Sequence, residues 1–517
     1  MRCGCWFLVA CLFLAQVETD AAVRPNVVVI LVDDMGYSDI GCYGSEIPTP
    51  HLDQLAENGL RFTQFYNTGR CCPTRASLLT GQYSHQAGVG HMTDDKGPEH
   101  PGFRGFLNRQ SLTLAEVLGP AGYMTAASGK WHVGHKEQSM WPLQRGFDRF
   151  YGVPEGGGFY FKVKQGRTVV RGNEVLYSAE QQPPSDWYST DAWTLAGLEF
   201  IDEALSAKQP FLLYLAHNAP HFPLQAPEAD IAKFRGKYRA GWDALRAARH
   251  ERQIELGLVD RQWPLAPRPD MVPEWDSLSA EEQDYFDHLM AIYAAVVSRM
   301  DGAIGTLVDG LKQRDVLDNT LILFMSDNGG TAESGPRGKY EGDHPGDGDS
   351  NVFYGQCWAT LSNTPFRRYK RQNHEGGIAT PLIAHWPAGI QEKNGLRTQP
   401  CHITDIMATL VDVTGADYPT ELGGQQIHPL AGTSLRPAFE NRDLPERAIF
   451  WEHEGNAAIR SGDWKLVRLG RKGKWELYNL AHDRTELNDL AAMHPRRVKE
   501  LREQWRAWAI RSHAIDE

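Results

Sequence analysis

Two adjacent cysteines, Cys71 and Cys72, stand before a proline and an arginine in the segment CCPTRASLLTG. Pro73 suits the first position of a helix, where its missing N–H group costs nothing, and RASLLT continues a helical pattern. The sequence therefore predicts a helix with Cys71 at its N-terminus and Arg75 one turn further in. A helix N-terminus favours an anion or an oxyanion and lowers the pKa of a thiol, so this segment is a candidate reactive centre.

Acidic and amide side chains follow two short apolar runs that are distant in sequence. VVVILV ends in Asp33 and Asp34, and TLILFM leads to Asp327 and Asn328. In an open α/β sheet the ligand site lies outside the carboxyl ends of the parallel strands, so we expect these groups to meet at one rim. Three carboxylates and an amide oxygen would repel one another without a cation, and an all-oxygen set suits Ca²⁺ or Mg²⁺. Zinc is disfavoured, because the sequence has no HExxH and no paired CxxC motif.

Two further apolar runs bring a lysine and histidines to the same rim. YMTAAS leads to Lys130 and His132, and FLLYLA leads to His217 and His221. A thiol beside a hard metal ion is a poor match of softness, so the group wanted at position 71 is an oxygen nucleophile.

The elements that must position these residues form an α/β pattern. Short runs rich in Val, Ile and Leu alternate with helical patterns, which predicts a large, mixed but mainly parallel sheet sandwiched by helices. PLIAHW (381–386) is a further strand candidate, and 227–289 is interpreted as helical excursions from the core. From about Ala448 short alternating runs predict a small antiparallel sheet, followed by a final helix after Pro495. We assign 23–440 to a catalytic domain and 441–517 to a C-terminal subdomain.

The composition is that of a globular protein, with 517 residues, 41% hydrophobic and 23% charged. The formal net charge of −12 argues against a nucleic-acid surface, so no nucleic-acid partner is expected and an anionic substrate must be met by local cations. A basic start, the apolar run CWFLVACLFLA and the pair Ala21-Ala22 predict a signal peptide over 1–22 and export to the periplasm, the exterior or a lysosome. Lipoprotein processing at Cys11 is the less favoured alternative. We predict no transmembrane segment.

Five of the 8 cysteines remain after signal cleavage. An odd number in an exported protein indicates at least one thiol with another fate. If that thiol is Cys71, the other four form up to two disulfides, whose pairing the sequence does not define. The four are Cys42, Cys72, Cys357 and Cys401.

The segment CCPTRASLLTG resembles the sulfatase signature C-x-P-x-R followed by L-T-G, in which the first cysteine is oxidised after translation to Cα-formylglycine. DDMGYSDIGCYG, GKWHVG, SDNGG, HEGGIATPLI and WELYNLAHDRTELNDLA also match sulfatase segments in the same order. The chain after the signal peptide is therefore similar to type I, arylsulfatase-like sulfatases. The resemblance implies the alkaline-phosphatase-like sulfatase fold, hydrolysis of sulfate monoesters and a formylglycine-generating maturase as partner.

The resemblance also implies a role for each matching residue. Ca²⁺, favoured over Mg²⁺, is expected on the formylglycine oxygen at Cys71 and on Asp33, Asp34, Asp327 and Asn328. Arg75 and Lys130 are expected to hold the formylglycine, and His132 is expected to help it eliminate sulfate. His221 and Lys370 are expected to bind sulfate and assist the leaving group. His217 lies nearer the strand end and is the main competitor of His221.

In the cycle that the resemblance implies, the aldehyde hydrate attacks sulfur, the alcohol or phenol leaves, and a second hydroxyl drives release of sulfate. Serine lacks that second hydroxyl. The sequence departs from the common pattern at Thr74, which keeps the hydroxyl of serine, and at His374, where many members carry an aromatic residue. Arg367 and Arg368 are interpreted either as contributors to substrate choice or as surface charges.

The substrate is expected to be an aryl sulfate or a sulfated carbohydrate, chosen by pocket loops such as 91–95 and 228–288. Oligomeric state is not predicted. The alternatives are a phosphonate or phosphate monoester hydrolase of the same superfamily, and a catalytically silent, glycan-binding member. Fold alone does not separate them.

Overall fold

The structure is a computed structural model that describes residues 24–515. The signal peptide predicted over 1–22 lies outside the described residues. The strands are β1 (Asn26–Val32), β2 (Leu60–Phe62), β3 (Phe65–Tyr66), β4 (Met124–Lys130), β5 (Arg149–Val153), β6 (Thr168–Arg171), β7 (Glu174–Ser178), β8 (Phe211–Ala216), β9 (Thr320–Ser326), β10 (Lys339–Glu341), β11 (Asn351–Phe353), β12 (Leu382–His385), β13 (Gly395–Arg397), β14 (Cys401–His402), β15 (Glu421–Leu422), β16 (Gln425–Gln426), β17 (Ala448–His453), β18 (Asn456–Ser461), β19 (Trp464–Arg468) and β20 (Trp475–Asn479).

The α-helices connect and cover these strands. They are α1 (Pro50–Glu57), α2 (Cys71–Thr80), α3 (Leu114–Leu118), α4 (Ser189–Ser206), α5 (Glu228–Ala232), α6 (Gly241–Glu255), α7 (Ala280–Gln313), α8 (Gly355–Ser362), α9 (Glu375–Ile378), α10 (Asp405–Thr414), α11 (Arg436–Phe439) and α12 (Pro495–Arg511).

The main sheet has ten strands in the order β13-β2-β12-β9-β1-β8-β4-β5-β6-β7. Its centre, from β9 to β5, is parallel throughout. β12 runs antiparallel to both of its neighbours, and β6 and β7 form an antiparallel edge. The register pairs Val32 with Ser326 and Leu31 with Ala216, so three strands end at nearly the same height. The loops that follow them therefore meet above one edge of the sheet.

Alternate residues of β1 enter different cores, because successive side chains of a strand point to opposite faces. Val28 and Ile30 pack with residues of α4 and α7, whereas Val29 and Leu31 pack with residues of α2, α3 and α10. Both faces of the sheet are thus covered by helices. The predicted fold class, a mixed and mainly parallel sheet sandwiched by helices, is confirmed.

Among the described residues, one helix is long and apolar enough to cross a membrane. It is α7, with 34 residues, and it begins in a capping box formed by Ser279 and Glu282. Buried residues make up 78% of its most apolar window, and the helix packs against α1, α4 and α5. Burial of this kind is typical of a core helix.

The last part of the chain forms a four-stranded antiparallel sheet in the order β17-β18-β19-β20, covered by α12. α12 is the final helix predicted after Pro495, and its residues Leu501, Trp505 and Trp508 are buried against this sheet. Trp451 Nε1 donates to the backbone carbonyl of Asn67 over 2.7 Å, so this sheet also contacts the chain just before α2.

A buried ion cluster joins this small sheet to the start of α9. Lys465 Nζ lies 2.8 Å from Glu375 Oε1 and 2.8 Å from Glu486 Oε1, and Arg484 Nε lies 3.0 Å from Glu375 Oε2. All four side chains have no exposed surface. The cluster therefore ties the C-terminal sheet to the loop that carries Lys370, five positions before Glu375.

The two disulfides considered for Cys42, Cys72, Cys357 and Cys401 are not formed, and that expectation is wrong for residues 24–515. All five cysteines of the described chain are free thiols. Two of them contact backbone carbonyls: Cys357 Sγ contacts the Pro336 carbonyl at 3.0 Å, and Cys401 Sγ contacts the Gln64 carbonyl at 3.7 Å.

Candidate active site

The loops after β1 and β9 bring four polar side chains together. The two strands end in register, so Asp33 and Asp327 leave the sheet side by side. The backbone N–H of Asp34 donates to Asp327 Oδ1 over 3.3 Å, and Asn328 Nδ2 donates to Asp34 Oδ1 over 2.8 Å. Asp34 has a φ of 67°, in the left-handed region that non-glycine residues seldom adopt outside functional sites and turns. The convergence predicted from the strand ends is present.

Each of these carboxylates also has a cationic partner within the fold. Lys130 is the last residue of β4, Arg75 lies in α2, and Lys370 lies in the loop before α9. These three cationic side chains therefore offset part of the expected repulsion among the carboxylates, and a bound metal ion need not offset all of it. The pairs are Lys130 with Asp33, Arg75 with Asp327 at 2.8 Å, and Lys370 with Asp34 at 2.7 Å.

The buried acids differ in their pKa values. Burial by itself raises the pKa of Asp33, but the charges of Lys130, His221 and Arg75 outweigh it and hold that pKa well below the usual carboxyl range. Burial and the neighbouring charge of Asp33 raise the pKa of Asp327 well above that range, although Arg75 opposes them. Like charges held close together commonly separate in this way.

Two buried oxygens of the group have no hydrogen-bond partner among the described residues, namely Asp33 Oδ1 and Asn328 Oδ1. Buried polar atoms are normally satisfied by protein, water or an ion. Both are hard oxygen donors, and ligand atoms of Asp33, Asp34 and His221 lie within 4.8 Å of one another. The residues present therefore fit a hard divalent cation.

The helix α2 begins at Cys71, so Pro73 occupies its third position. The sequence predicted the first position for Pro73. The difference costs no hydrogen bond, because the first four N–H groups of a helix have no partner within it. Cys71, at the first turn, is 2% exposed. A hydrogen bond from Cys72 lowers the pKa of the Cys71 thiol well below its usual value; burial opposes this shift, and Lys130 and His132 favour it.

His132 lies beside Cys71, two residues beyond the end of β4. One potential ligand atom from each of Cys71, Cys72 and His132 lies within 4.8 Å of the others. Burial lowers the pKa of His132 to about 4, with Cys71 opposing the shift. His132 Nδ1 is buried and has no hydrogen-bond partner among residues 24–515.

The structure separates the two histidines that follow β8. His221 Nε2 lies 3.6 Å from Asp34 Oδ2, and its Nδ1 contacts the Phe222 carbonyl. Both ring nitrogens of His217 are buried without a hydrogen-bond partner among the described residues, and burial lowers its pKa to about 3. His221, and not its competitor, is therefore the histidine placed with the acidic group.

A run of glycines after β5, which sequence reasoning missed, packs directly on both histidines of the site. A Cβ atom at Gly156 would lie 2.3 Å from His132 Cγ, and one at Gly158 would lie 3.1 Å from His221 Nδ1. Gly156 also has a φ of 86°, which favours glycine. The signal was present in the sequence as PEGGG (154–158), a turn-like cluster after a short apolar run.

Two more charged residues at the rim were not foreseen. Glu333 Oε2 lies 3.1 Å from Lys370 Nζ, and Glu333 also pairs with Arg70. Burial alone raises the pKa of Glu333, but Lys370 and Arg70 bring it down to about 2. The sequence signal for these two residues was their position: Glu333 follows Asp327 closely, and Arg70 directly precedes Cys71.

The predicted pocket loop 91–95 does lie beside this rim. His91 Nε2 is 3.3 Å from Glu454 Oε1, and Met92 Sδ is 3.8 Å from Cys72 Sγ. In the 228–288 segment, α5 packs on α7 and α6 on α8, and Arg249 pairs with Asp39 at 2.9 Å. These contacts belong to the core and not to the rim.

Arg367, interpreted from the sequence as a contributor to substrate choice or as a surface charge, has partners in the C-terminal sheet. Arg367 Nη2 donates to Tyr478 Oη over 3.0 Å and pairs with Glu476, and His374 Nε2 lies 3.1 Å from the same carboxylate. Arg367 and His374 therefore bind β20 of the C-terminal sheet. The carbonyl of Arg368 accepts a hydrogen bond from Asn363 Nδ2 over 3.0 Å, and its φ is 73°.

A helix N-terminus at Cys71, with cations and an oxygen-rich group nearby, is an arrangement suited to binding a tetrahedral oxyanion. A family model described as Sulfatase matches residues 25–416, and a second, described as N-sulphoglucosamine sulphohydrolase, C-terminal, matches 367–508. The chain is 34% identical to an uncharacterised sulfatase of Schizosaccharomyces pombe, over 93% of each protein. It is 35% identical to an arylsulfatase of Klebsiella aerogenes, over 80% of this chain and 91% of that one.

Among solved structures, Ps i-CgsB in complex with k-i-k-neocarrahexaose superposes with a TM-score of 0.68 and 26% identity, covering 94% of this chain and 92% of that one. The chain belongs to the sulfatase family. It is a sulfuric ester hydrolase that cleaves sulfate monoesters, and its fold is the alkaline-phosphatase-like fold of that family.

Proposed function

We propose that this sulfatase acts through Cys71 after its oxidation to Cα-formylglycine, together with a Ca²⁺ ion held by the oxygens of Asp33, Asp34, Asp327 and Asn328. The observation that carries the proposal is the pair of unpartnered buried oxygens on Asp33 and Asn328. Asp33 lies close enough to Cys71 for the charge of that thiol to act on the pKa of the carboxyl group. When present, the aldehyde hydrate supplies an oxygen nucleophile with a second hydroxyl, and the ion favours the deprotonated form of a bound hydroxyl.

The cationic side chains set the charge of the site before substrate arrives. Arg75 and Lys130 are fixed by Asp327 and Asp33, and both are buried. Together with Lys370 they place positive charge where a sulfuryl group carries negative charge. Such prearranged charge stabilises the transition state without further reorganisation, and it is usually the largest catalytic contribution.

Two histidines are placed to move protons. His221 keeps its Nδ1 on the Phe222 carbonyl, so Nε2 is the atom that faces the site and protonates the leaving oxygen, with Lys370 as the second candidate. His132 has an unpartnered Nδ1 and lies beside Cys71, so it is the base that removes the proton whose loss releases sulfate. General acid and base catalysis of this kind contributes about 10²–10⁴-fold.

The substrate we propose is an aryl sulfate or a sulfated carbohydrate. Charged side chains (Arg70, Glu333) and an aromatic ring (Phe222) border Lys370, whose Nζ lies 5.5 Å from the ring centre. The similar protein Ps i-CgsB binds k-i-k-neocarrahexaose, which supports the carbohydrate class. We also propose a formylglycine-generating maturase as partner, export by the peptide 1–22, and a division at about residue 440.

The decisive experiment combines mass spectrometry and kinetics. The peptide containing Cys71, from protein made with a competent maturase, is expected to carry the aldehyde, and Cys71→Ala is expected to abolish hydrolysis of 4-nitrophenyl sulfate. Cys357→Ser, at a buried thiol of α8 whose Sγ contacts the Pro336 carbonyl, is the matched control and should stay active. A thiol at position 71 together with full activity of Cys71→Ala would refute the mechanism. Faster hydrolysis of 4-nitrophenyl phosphate or phenylphosphonate would favour the alternative hydrolase.

A further inference from the structure

Soft ligand atoms are concentrated at the start of α2. The two thiols of Cys71 and Cys72 and the imidazole of His132 each contribute one atom to a group whose members lie within 4.8 Å of one another. Cys71 is 2% exposed, Cys72 is fully buried and His132 is 7% exposed. Of these three residues only position 71 also belongs to the expected Ca²⁺ ligand set, and there it contributes the formylglycine oxygen and not sulfur.

Two further observations point to a ligand for this group. His132 Nδ1 is buried without a hydrogen-bond partner in the part of the chain that the structure describes. Met92 Sδ lies 3.8 Å from Cys72 Sγ and adds a thioether to the same place. Two sulfur ligands of a tetrahedral ion with metal–sulfur bonds of about 2.3 Å are themselves about 3.8 Å apart.

We propose that the chain in its thiol form, before any oxidation of Cys71, binds a thiophilic d¹⁰ cation such as Zn²⁺ through Cys71, Cys72 and His132. Sulfur and imidazole ligands select soft and borderline ions, whereas the acidic group selects a hard ion. Two thiolates also supply the negative charge that such an ion requires. The fourth position faces Met92 or a water molecule.

This site goes beyond the proposed catalytic function, because it exists only while residue 71 carries sulfur. Conversion of Cys71 to an aldehyde removes one of the three ligands and abolishes the site. A bound ion, in turn, occupies the sulfur lone pair that an oxidant or an alkylating reagent would attack. Thiophilic ions and chemical modification of Cys71 are therefore mutually exclusive.

Spectroscopy of the full-length, unmodified chain tests the site. The protein is made without maturase, saturated with Ca²⁺ to fill the acidic group, and titrated with Co²⁺ under anaerobic, reducing conditions. We expect an intense thiolate-to-cobalt charge-transfer band that Zn²⁺ displaces. Cys72→Ser is expected to weaken Zn²⁺ binding at least about tenfold, since loss of an outer partner alone costs 10–100-fold. Cys357→Ser, at a buried thiol outside the cluster, should bind like the parent.

Weak cobalt bands typical of oxygen ligands, or equal Zn²⁺ affinity in the parent and in Cys72→Ser, would overturn the proposal. A second measurement covers variants that do not fold. Zinc X-ray absorption spectroscopy of the parent protein, saturated with Ca²⁺ and loaded with one equivalent of Zn²⁺, should show sulfur neighbours at about 2.3 Å. A first shell of nitrogen and oxygen atoms alone would also overturn it. Neither readout depends on sulfatase activity, so failure here leaves the catalytic proposal standing.

Discussion

Removal of Lys465 is expected to destabilise the protein strongly, although the residue is far from the reacting groups in sequence. Lys465 is fully buried, and its ammonium lies 2.8 Å from a carboxylate oxygen of both Glu375 and Glu486. Lys465→Met keeps the length and the apolar stem of the side chain but leaves two buried carboxylates short of one positive charge. Arg484 remains as the partner of Glu375 at 3.0 Å.

The size of the effect follows from the distances. At 2.8 Å and an effective dielectric constant of 20, each lysine–carboxylate contact is worth ~6 kcal/mol of Coulomb attraction before desolvation. Desolvation of the lysine, which the variant no longer requires, offsets part of this. Breaking a buried pair by removing one partner costs ~3–5 kcal/mol in net free energy of unfolding, and we expect Lys465→Met to fall in that range.

Equilibrium urea unfolding of the full chain measures this difference, with tryptophan fluorescence and circular dichroism as two probes of the same transition. The matched control is Lys499→Met on the surface of α12, where the side chain is 73% exposed and its partner Glu503 lies 3.9 Å away. A surface change of this kind should stay within ~0.5 kcal/mol. Equal stability of the two variants would show that the buried cluster contributes nothing and would refute the reasoning.

The same cluster gives the pH dependence of this effect. Burial alone raises the pKa of Glu375, but Lys465, Arg484 and Arg460 bring it down to about 2, below the usual value of 4.5. A depressed carboxyl pKa stabilises the folded protein above the unfolded pKa, and that stabilisation is lost as the pH falls from about 4.5 towards 2. The stability gap between the parent and Lys465→Met should therefore be constant above pH 5 and shrink below it.

Three further predictions concern the site. Chelation of divalent ions should remove activity and lower the free energy of unfolding by ~2.7 kcal/mol relative to protein in Ca²⁺ at 100 times its dissociation constant; identical melting with and without Ca²⁺ would contradict a calcium site. Gly156→Ala should lower kcat by about 10²-fold, because its Cβ would displace the ring of His132, as 1 Å errors in placement can do. Gly166→Ala, with a φ of 72° and open space around the Cβ, is the control for backbone strain alone, and equal kcat losses would refute the contact. His221→Gln should slow hydrolysis of an alkyl sulfate ~10²-fold or more but affect 4-nitrophenyl sulfate much less, because a good leaving group needs little protonation; equal losses on both substrates would exclude the acid role.

The central strands were predictable because they are buried on both faces. Fully buried parallel strands read as unbroken apolar runs, and VVVILV and FLLYLA agree with β1 and β8 to within one residue. β4 extends two residues beyond its predicted run, because Gly129 and Lys130 still pair with β5. Lys130 is therefore the last residue of the strand, and its side chain is held more firmly than a loop position would allow.

Other parts of the sheet were beyond sequence reasoning. PLIAHW was identified as a strand, but its antiparallel direction in β12 depends on how the chain returns to the sheet and not on its own residues. β2 and β13 have three residues each, too few to show a period. Residues 256–279 lie within the predicted helical excursion, yet they contain no α-helix in the structure.

The residues of the site were predicted as a set, but their pairing was not. The predicted strand ends indicated which side chains would meet, because the carboxyl ends of parallel strands lie at the same rim of a sheet. Which cation would hold which carboxylate, and that Glu333 would bind Lys370, depends on side-chain distances that no spacing in the sequence encodes. The close packing of Gly156 on His132 is likewise a contact between distant segments.

The burial of Cys71 limits the period in which another enzyme can modify it. In the finished fold its side chain is 2% exposed, so an enzyme that modifies it must reach it while the chain is still open. The fold around Cys71 is complete only after Asp327 binds Arg75, and Asp327 lies 252 positions after Arg75 in the chain. At about 5–20 residues per second, synthesis of that stretch takes roughly 10–50 s. The rate of protein synthesis thus sets the period in which the maturase proposed above can act.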